Sequence, residues 1–459
     1  MTARKVPDHH AIMLRLYGTA FAEDDPVRSR LGTAICSARV ARKPGARRKV
    51  RTPRIIGRCS ILASASSSRI PSDFTRRRDA RVLIGRAVEI AEYCAAHAAV
   101  IDRDDAFPDE EFRRIADIGL LAAPLPHALG GMDIGIAPGT TLTLLDVLMH
   151  LGRGNLAVGR LYEGHVNALH LLHQFGAASQ LAAAAGDIHE RGSLFGVWNT
   201  EAADGVRIAP TPEGTYRMDG AKTFASGAGH LTRPLVTGAL PDGGWQMCLV
   251  PMERATARID PSSWHPLGMR ASASYRIAFT GVELERDALI GTPGDYYQQP
   301  WFSGGAIRFA AIQLGGAAAL LDATRTYLRD LDRTGDPYQR TRVGEMAIAV
   351  ESGALWLRGA AALADRSAFV GGVGDGEALV AYINMARTAI ERICLDSMRL
   401  AEQTVGARGL LPPHPFERII RDLTLYLRQP APDAALAGAG RYVLEQTQRM
   451  DQLWENRDV

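Results

Sequence analysis

The chain has 459 residues, 46% hydrophobic and 22% charged, with a net charge of +3, the composition of a globular protein of about three domains. No apolar run approaches the roughly twenty residues that span a bilayer, and five scattered cysteines without a C-x-x-C pair exclude a disulfide scaffold or cysteine zinc site, which suits a reducing, cytoplasmic setting. The charge is uneven: residues 1–80 hold eighteen Lys/Arg against six Asp/Glu, so the remainder of the chain is nine charges negative, and the basic surplus says little about the body.

Residues 1–80 lack sustained periodicity and carry Arg42-Lys43-Pro44-Gly45-Ala46-Arg47-Arg48-Lys49, a Ser/Ala run at 63–68 and Arg76-Arg77-Arg78. A targeting peptide shares the Arg and Ser content, but Glu23-Asp24-Asp25 and the length count against it. A nucleic-acid arm would be basic too, yet interleaved aromatics are missing. The favoured expectation is a disordered, dispensable leader lying upstream of a true start near Val82 or Leu83, because no methionine lies between Met13 and Met132.

Residues 82–192 read as an all-α domain. Val82-Leu83, Ala87-Val88, Ile90-Ala91 and Cys94-Ala95 recur at helical spacing. Phe107-Pro108-Asp109-Glu110-Glu111 then opens a helix with proline and acids in its first turn, and further helices are predicted over 138–151 and 155–175. His170 and His173 share a face of the latter, near His165. Without a carboxylate pair or an H-E-x-x-H motif, they read as core or surface histidines rather than a metal site.

Residues 193–295 lose the helical period. Strands are predicted at 194–201, 215–227, 234–240, 245–250 and 275–285, forming a middle β-barrel. The first ends on Trp198 and Thr200, the second on Phe224 and Ser226. Residues two apart on a strand share a face, so each pair would present a ring and a hydroxyl to one flat ligand, the alternative being two ordinary sheet edges. Residues 300–449 carry Ala/Leu-rich helices at 304–331, 340–366, 376–405 and 432–449, an antiparallel four-helix bundle. Neither G-x-G-x-x-G after a strand nor G-x-x-x-x-G-K-[ST] occurs, so a Rossmann or P-loop site is unsupported.

Several blocks, in order, resemble the acyl-CoA dehydrogenase superfamily. Phe107 to Gly131 is similar to its first domain, Asn199-Thr200-Glu201 to its "T-E" element, and Tyr216 to Ala228 to its "Y-x-(L/V)-N-G-x-K-x-(W/F)-I-(T/S)-x-A" signature. Gly268 to Ser274 with Ile277 to Val282 resembles "G-x-R-x-S-x-(S/T)…F-x-x-V". Arg308 to Gly316 resembles the bundle opening, Gln403 to Gly409 the "Q-x-x-G-G-x-G" turn, and Glu417 to Asp422 the "E-R-x-x-R-D" segment. The resemblance spans about residues 82–446. It implies the family fold, mainly α with a central β domain, and a flavin (FAD, or FMN or reduced flavin delivered by a reductase).

The resemblance further implies a set of roles. Phe224, with Trp198, would wall one face of the ring, and Thr200 and Ser226 would donate to it. Arg270 would face the cofactor and, with the Arg308 turn, line the substrate cleft, with Gly205 on the substrate side. Gln403, Gly406 and Gly409 would hold the distal end of the cofactor across the interface of a homodimer or homotetramer; Ala407 stands where the turn's second glycine is expected.

One departure concerns the base. The family's glutamate position falls on Pro430, its alternative position on Ile307, and the serine after "T-E" is replaced by Val206-Arg207 following Gly205. Asp433 is the nearest carboxylate, with an N-cap as its plainer role; Tyr426 and His414 are remote candidates, and Arg421 with Asp422 reads as a structural ion pair. Three functions follow from the resemblance: an FAD-dependent dehydrogenase of the CH–CH group of an acyl thioester with a relocated base and an electron acceptor; a flavin monooxygenase of the same fold fed by a flavin reductase; or a silent flavin-binding homologue. No nucleic-acid or membrane partner is expected.

Overall fold

The computed structural model describes residues 73–103, 106–370 and 373–454; the expected leader, up to residue 72, lies outside the described residues. The first helix among the described residues, α1, runs Asp73–Arg103, so the domain boundary placed near residue 80 falls inside a helix. There follow α2 (Asp109–Asp117), α3 (Thr141–Gly154), α4 (Leu156–Phe175) and α5 (Ala178–Arg191). The break between α3 and α4 is enforced by Asn155, whose side-chain oxygen accepts from the backbone N–H groups of Ala157 at 2.9 Å and Val158 at 3.3 Å, an N-cap that starts a new helix. α5 lies beyond the helices predicted from the sequence, although Leu181, Ala184, Ala185 and Ile188 form a buried stripe at helical spacing.

The middle region is one eight-stranded sheet: β1 (Phe195–Trp198), β2 (Arg207–Pro210), β3 (Tyr216–Ala225), β4 (Arg233–Ala239), β5 (Trp245–Leu249), β6 (Ala257–Asp260), β7 (Tyr275–Leu284) and β8 (Leu289–Ile290). Its order is β6-β7-β3-β2-β4-β5-β8, with β1 pairing β4 in parallel. The predicted strands are present, but β2, β6 and β8 were missed. β2 buries only Ile208, too little alternation to read. The first predicted strand also ends early, at Trp198 rather than residue 201.

The C-terminal region contains α6 (Trp301–Gly304), α7 (Ala306–Asp330), α8 (Pro337–Val370), α9 (Val373–Gly409), α10 (Phe416–Tyr426) and α11 (Pro432–Glu445). The four long helices match the predicted bundle members; α10 is an addition, packed on α7. Helices α3 and α7 cross with their backbones touching. A Cβ on Gly152 would stand 2.3 Å from the Ile312 carbonyl oxygen, and one on Gly315 would stand 2.1 Å from that of Met149, so both positions require glycine. By length and composition Trp301–Asp330 and Pro337–Ser367 could cross a membrane, contrary to the sequence expectation; 56% of the apolar window in the first is buried within the fold, which explains its apolarity as core.

Candidate functional site

The end of β3 does not keep its strand geometry. Phe224 adopts φ 52° inside a register shift between Lys222 and Ala225, and the kink turns its ring outward, 63% exposed, edge-on to Trp264 at 5.9 Å and 87°. This corrects the pairing expected from strand alternation. Ser226 lies beyond the strand in a turn and does not share a pleated face with Phe224. Its hydroxyl instead meets that of Ser274 at 2.9 Å, which meets Ser272 at 2.8 Å, a chain of three hydroxyls beside the exposed ring.

Trp198 is also corrected. It is 1% exposed, packs toward Phe279 with ring centroids 6.4 Å apart, and donates its indole N–H to the Ser226 carbonyl at 2.9 Å. It is a floor under Ser226 and offers no face to a ligand. Thr200 lies past the end of β1, exposed, its carbonyl accepting from the Thr223 N–H at 2.9 Å.

The turn bearing Thr200 is anchored by a residue that sequence reading treated only as a motif letter. Lys222 is fully buried and its ammonium donates to Glu201 Oε2 at 2.9 Å, the Asn199 carbonyl at 3.0 Å and Thr237 Oγ1 at 3.3 Å. Burial pulls the Lys222 pKa down while Glu201 opposes the shift. Gly205 lies beside this turn: a Cβ there would stand 2.2 Å from the Glu201 carboxyl carbon.

Arg270 sits on a short turn, Arg270–Ser272, held from both sides. The Asp422 carboxylate accepts from the Met269 N–H at 2.6 Å, and Arg421 donates to the Leu267 carbonyl at 2.9 Å. Arg421 and Asp422 do not pair with each other as expected. Arg421 pairs with Asp102 of α1 at 2.6 Å and with Glu417, while Asp422 faces Arg418 at 3.6 Å. Burial pushes the Asp422 carboxyl up to about 6 despite Arg418. α1, α10 and the Arg270 turn are thereby fastened at one point.

Arg308, at the start of α7, donates from Nε to Asn167 Oδ1 at 2.5 Å, and Asn167 donates to Glu163 Oε1 at 2.5 Å. Arg160 Nη1 pairs with the other oxygen of Glu163. This polar row of α4, spaced at helical intervals, went unnoticed in the sequence, because only the packing of α7 on α4 makes it continuous. Arg160 also lines a small cleft with Leu161, Gly164, Gly196, Val197 and Ser226, so the row reaches the hydroxyl beside Phe224.

The remaining candidates lie apart. Ile307 is buried and apolar. Pro430 is exposed, its carbonyl accepting from Arg387 at 3.3 Å. Asp433 is exposed in the first turn of α11, where Ala431 holds the cap position and no side chain caps, so the N-cap reading of Asp433 is not realised. His414 packs edge-on against Tyr327 at 5.0 Å. Gln403 and Gly406 are exposed at the end of α9, where Gly406 breaks the helix with φ 59°, and Gly409 is buried. His165 and His170 bond to the carbonyls of Leu121 at 2.8 Å and Ile134 at 3.2 Å; burial depresses them to about 4 and about 3.

The exposed Phe224 ring, the adjoining hydroxyls and the anchored Arg270 turn are a donor set suited to a flat, electron-accepting ring such as flavin. Comparison with known proteins agrees. The acyl-CoA dehydrogenase N-terminal domain model matches residues 86–186 and the C-terminal domain model residues 294–427. The chain is 25% identical over 397 residues to a dibenzothiophene monooxygenase of Mycolicibacterium goodii, covering 79% of this chain and 94% of that one. It is 25% identical over 344 residues to the human (Homo sapiens) mitochondrial short-chain specific acyl-CoA dehydrogenase, covering 71% of this chain and 80% of that one. Among solved structures, TdsC of Paenibacillus sp. A11-2 with FMN and indole superposes with a TM-score of 0.73 at 22% identity, over 82% of this chain and all (100%) of that one.

Proposed function

Because this chain belongs to the acyl-CoA dehydrogenase superfamily and is a flavin-dependent oxidoreductase, we propose that it works as a monooxygenase on a small organic molecule, using flavin reduced elsewhere. The observation that carries this reading is that the two positions to which the family resemblance assigns the proton-abstracting glutamate hold Ile307, buried and apolar, and Pro430, exposed, neither able to accept a proton. Glu163, the carboxylate beside the cleft, has both oxygens engaged, one by Arg160 and one by Asn167. General base catalysis is worth about two to four powers of ten, so α-proton removal is poorly served. Oxygen transfer needs no such base, and the named monooxygenase relative supports this reading over CH–CH dehydrogenation.

Reduced flavin, when bound, supplies the electrons that let one atom of dioxygen enter the substrate and the other leave as water. The chain's share is positional. Phe224 would cover one ring face and the Ser226-Ser274-Ser272 hydroxyls would give donors at its edge, while Trp198 fixes the Ser226 backbone. Arg270 is presented on the turn that Asp422 and Arg421 hold. The exposed Gln403 and Gly406 suit a contact with a second copy of the chain and the far end of the cofactor. FMN is favoured over FAD by the FMN-bound structural relative.

The test supplies FMN, NADH and a flavin reductase under labelled oxygen, with dibenzothiophene and simpler organic compounds as substrates. Substrate-dependent oxygen uptake with label in the product is expected. Anaerobic bleaching of the bound flavin by an acyl-CoA thioester, without oxygen incorporation, would return the chain to the dehydrogenases.

A further inference from the structure

We infer that Arg160, Arg308 and the hydroxyl of Tyr426 form the receiving end of the substrate pocket for an oxyanion, so that the substrate carries a carboxylate or sulfonate-type group; this rests on the monooxygenase reading for the word substrate, though not for the binding itself. Three observations converge. First, two guanidiniums share a single row with one carboxylate: Arg160 and Asn167 take the two oxygens of Glu163, and Asn167 links on to Arg308. Both arginines are half-buried, where an unpaired charge still favours a counter-ion, and Glu163 is the carboxylate that faces both. His170, beside Arg308, is held neutral by burial, to about 3. One positive charge is left over.

Second, each guanidinium spends only part of its donor fork on the row. Arg160 uses Nη1 and Arg308 uses Nε; among the described residues no protein acceptor takes the terminal Nη atoms of Arg308. Guanidinium forks of this kind match the two oxygens of an oxyanion. Third, the Tyr426 hydroxyl is buried and has no hydrogen-bond partner among the described residues, although Tyr426 lies within the field of Arg160 and Glu163. Burial keeps the phenol protonated, a donor awaiting an acceptor. An unmade buried hydrogen bond is costly; a bound oxyanion would satisfy it together with the surplus charge. Because Arg160 also lines the cleft containing Ser226, a molecule anchored here extends toward the proposed flavin.

The experiment is calorimetry on the FMN-loaded chain, with benzoate and benzenesulfonate as oxyanion probes and benzamide and benzenesulfonamide as their neutral counterparts. At least about tenfold tighter binding of one oxyanion than of its neutral partner is expected, and the better of the two identifies the group. Tyr426→Phe should weaken that binding about tenfold without lowering Tm, since it removes an unsatisfied hydroxyl, whereas a purely structural tyrosine would lose stability. Arg308→Gln should weaken it by roughly tenfold to a hundredfold. Equal binding of charged and neutral probes, an unaffected Tyr426→Phe variant, or one-for-one displacement of FMN by benzoate would each overturn the inference, the last by giving the site to the cofactor phosphate. Visible absorbance in the same cell separates the two claims: a chain that retains no flavin yet binds benzoate through Arg308 sinks the monooxygenase reading and leaves this one standing.

Discussion

Lys222 and Glu201 form an ion pair of 2.9 Å with the lysine fully buried, joining β3 to the turn that carries Thr200. Removing the lysine takes from Glu201 its closer cation and leaves Arg207 at 3.9 Å, and truncating one side of a buried pair typically costs up to about 3–5 kcal/mol. Lys222→Met is therefore expected to lower unfolding free energy by that order in urea, and adding Glu201→Gln should restore part of it. An additive double mutant would show that the pair is not coupled.

The Arg270 turn depends on a close backbone approach. A Cβ on Gly268 would stand 2.2 Å from the Arg421 carbonyl oxygen, an atom that cannot swing aside as a side chain can. Gly268→Ala should cost about 1–3 kcal/mol and weaken flavin retention as the turn shifts. Chemical denaturation and FMN titration together check this, and an unchanged flavin affinity would detach the turn from the cofactor.

Phe224 combines left-handed backbone with an exposed ring. Phe224→Gly relieves about 1 kcal/mol of backbone strain and forfeits a comparable edge-to-face contact with Trp264, so stability should stay within about 1 kcal/mol of the parent. Flavin affinity should fall about tenfold or more through loss of the covering ring. Fluorescence quenching on FMN titration measures it; unaltered affinity would place the ring elsewhere.

His165 accepts from the Phe195 N–H at 3.1 Å while its other nitrogen faces the Leu121 carbonyl, an arrangement that requires the neutral ring. Its folded pKa of about 4 lies below the ordinary 6.5. The stabilisation is thus complete above pH about 6.5 and is lost as pH falls toward about 4, amounting to about 2 kcal/mol by pH 5. Denaturant midpoints at pH 7 and pH 5 should show the loss, and His165→Asn should flatten its share of the slope, leaving that of His170.

Asp433 is exposed and caps nothing. Asp433→Asn is expected to leave folding and turnover unchanged in steady-state assays; a large fall in turnover would restore it as a base.

What the sequence determined by itself was the order of structure: helices, then strands, then a helical bundle, with Phe224, Ser226 and Arg270 near one another through a resemblance whose blocks lie in register. Periodicity is local, so it located the long helices and the well-alternating strands, and it failed on the short β2 and β6. Tertiary structure decided what each side chain faces. Trp198 became a floor rather than a wall because its strand is covered on that side by Phe279 and Ser226. The bulge at Phe224 undid the alternation on which the ring-and-hydroxyl pairing relied. The Arg160-Glu163-Asn167-Arg308 row exists only where α7 docks on α4, and the orphaned Tyr426 hydroxyl only where α10 closes over them. Burial and charge pairing are properties of distant segments brought together, and a one-dimensional pattern does not carry them.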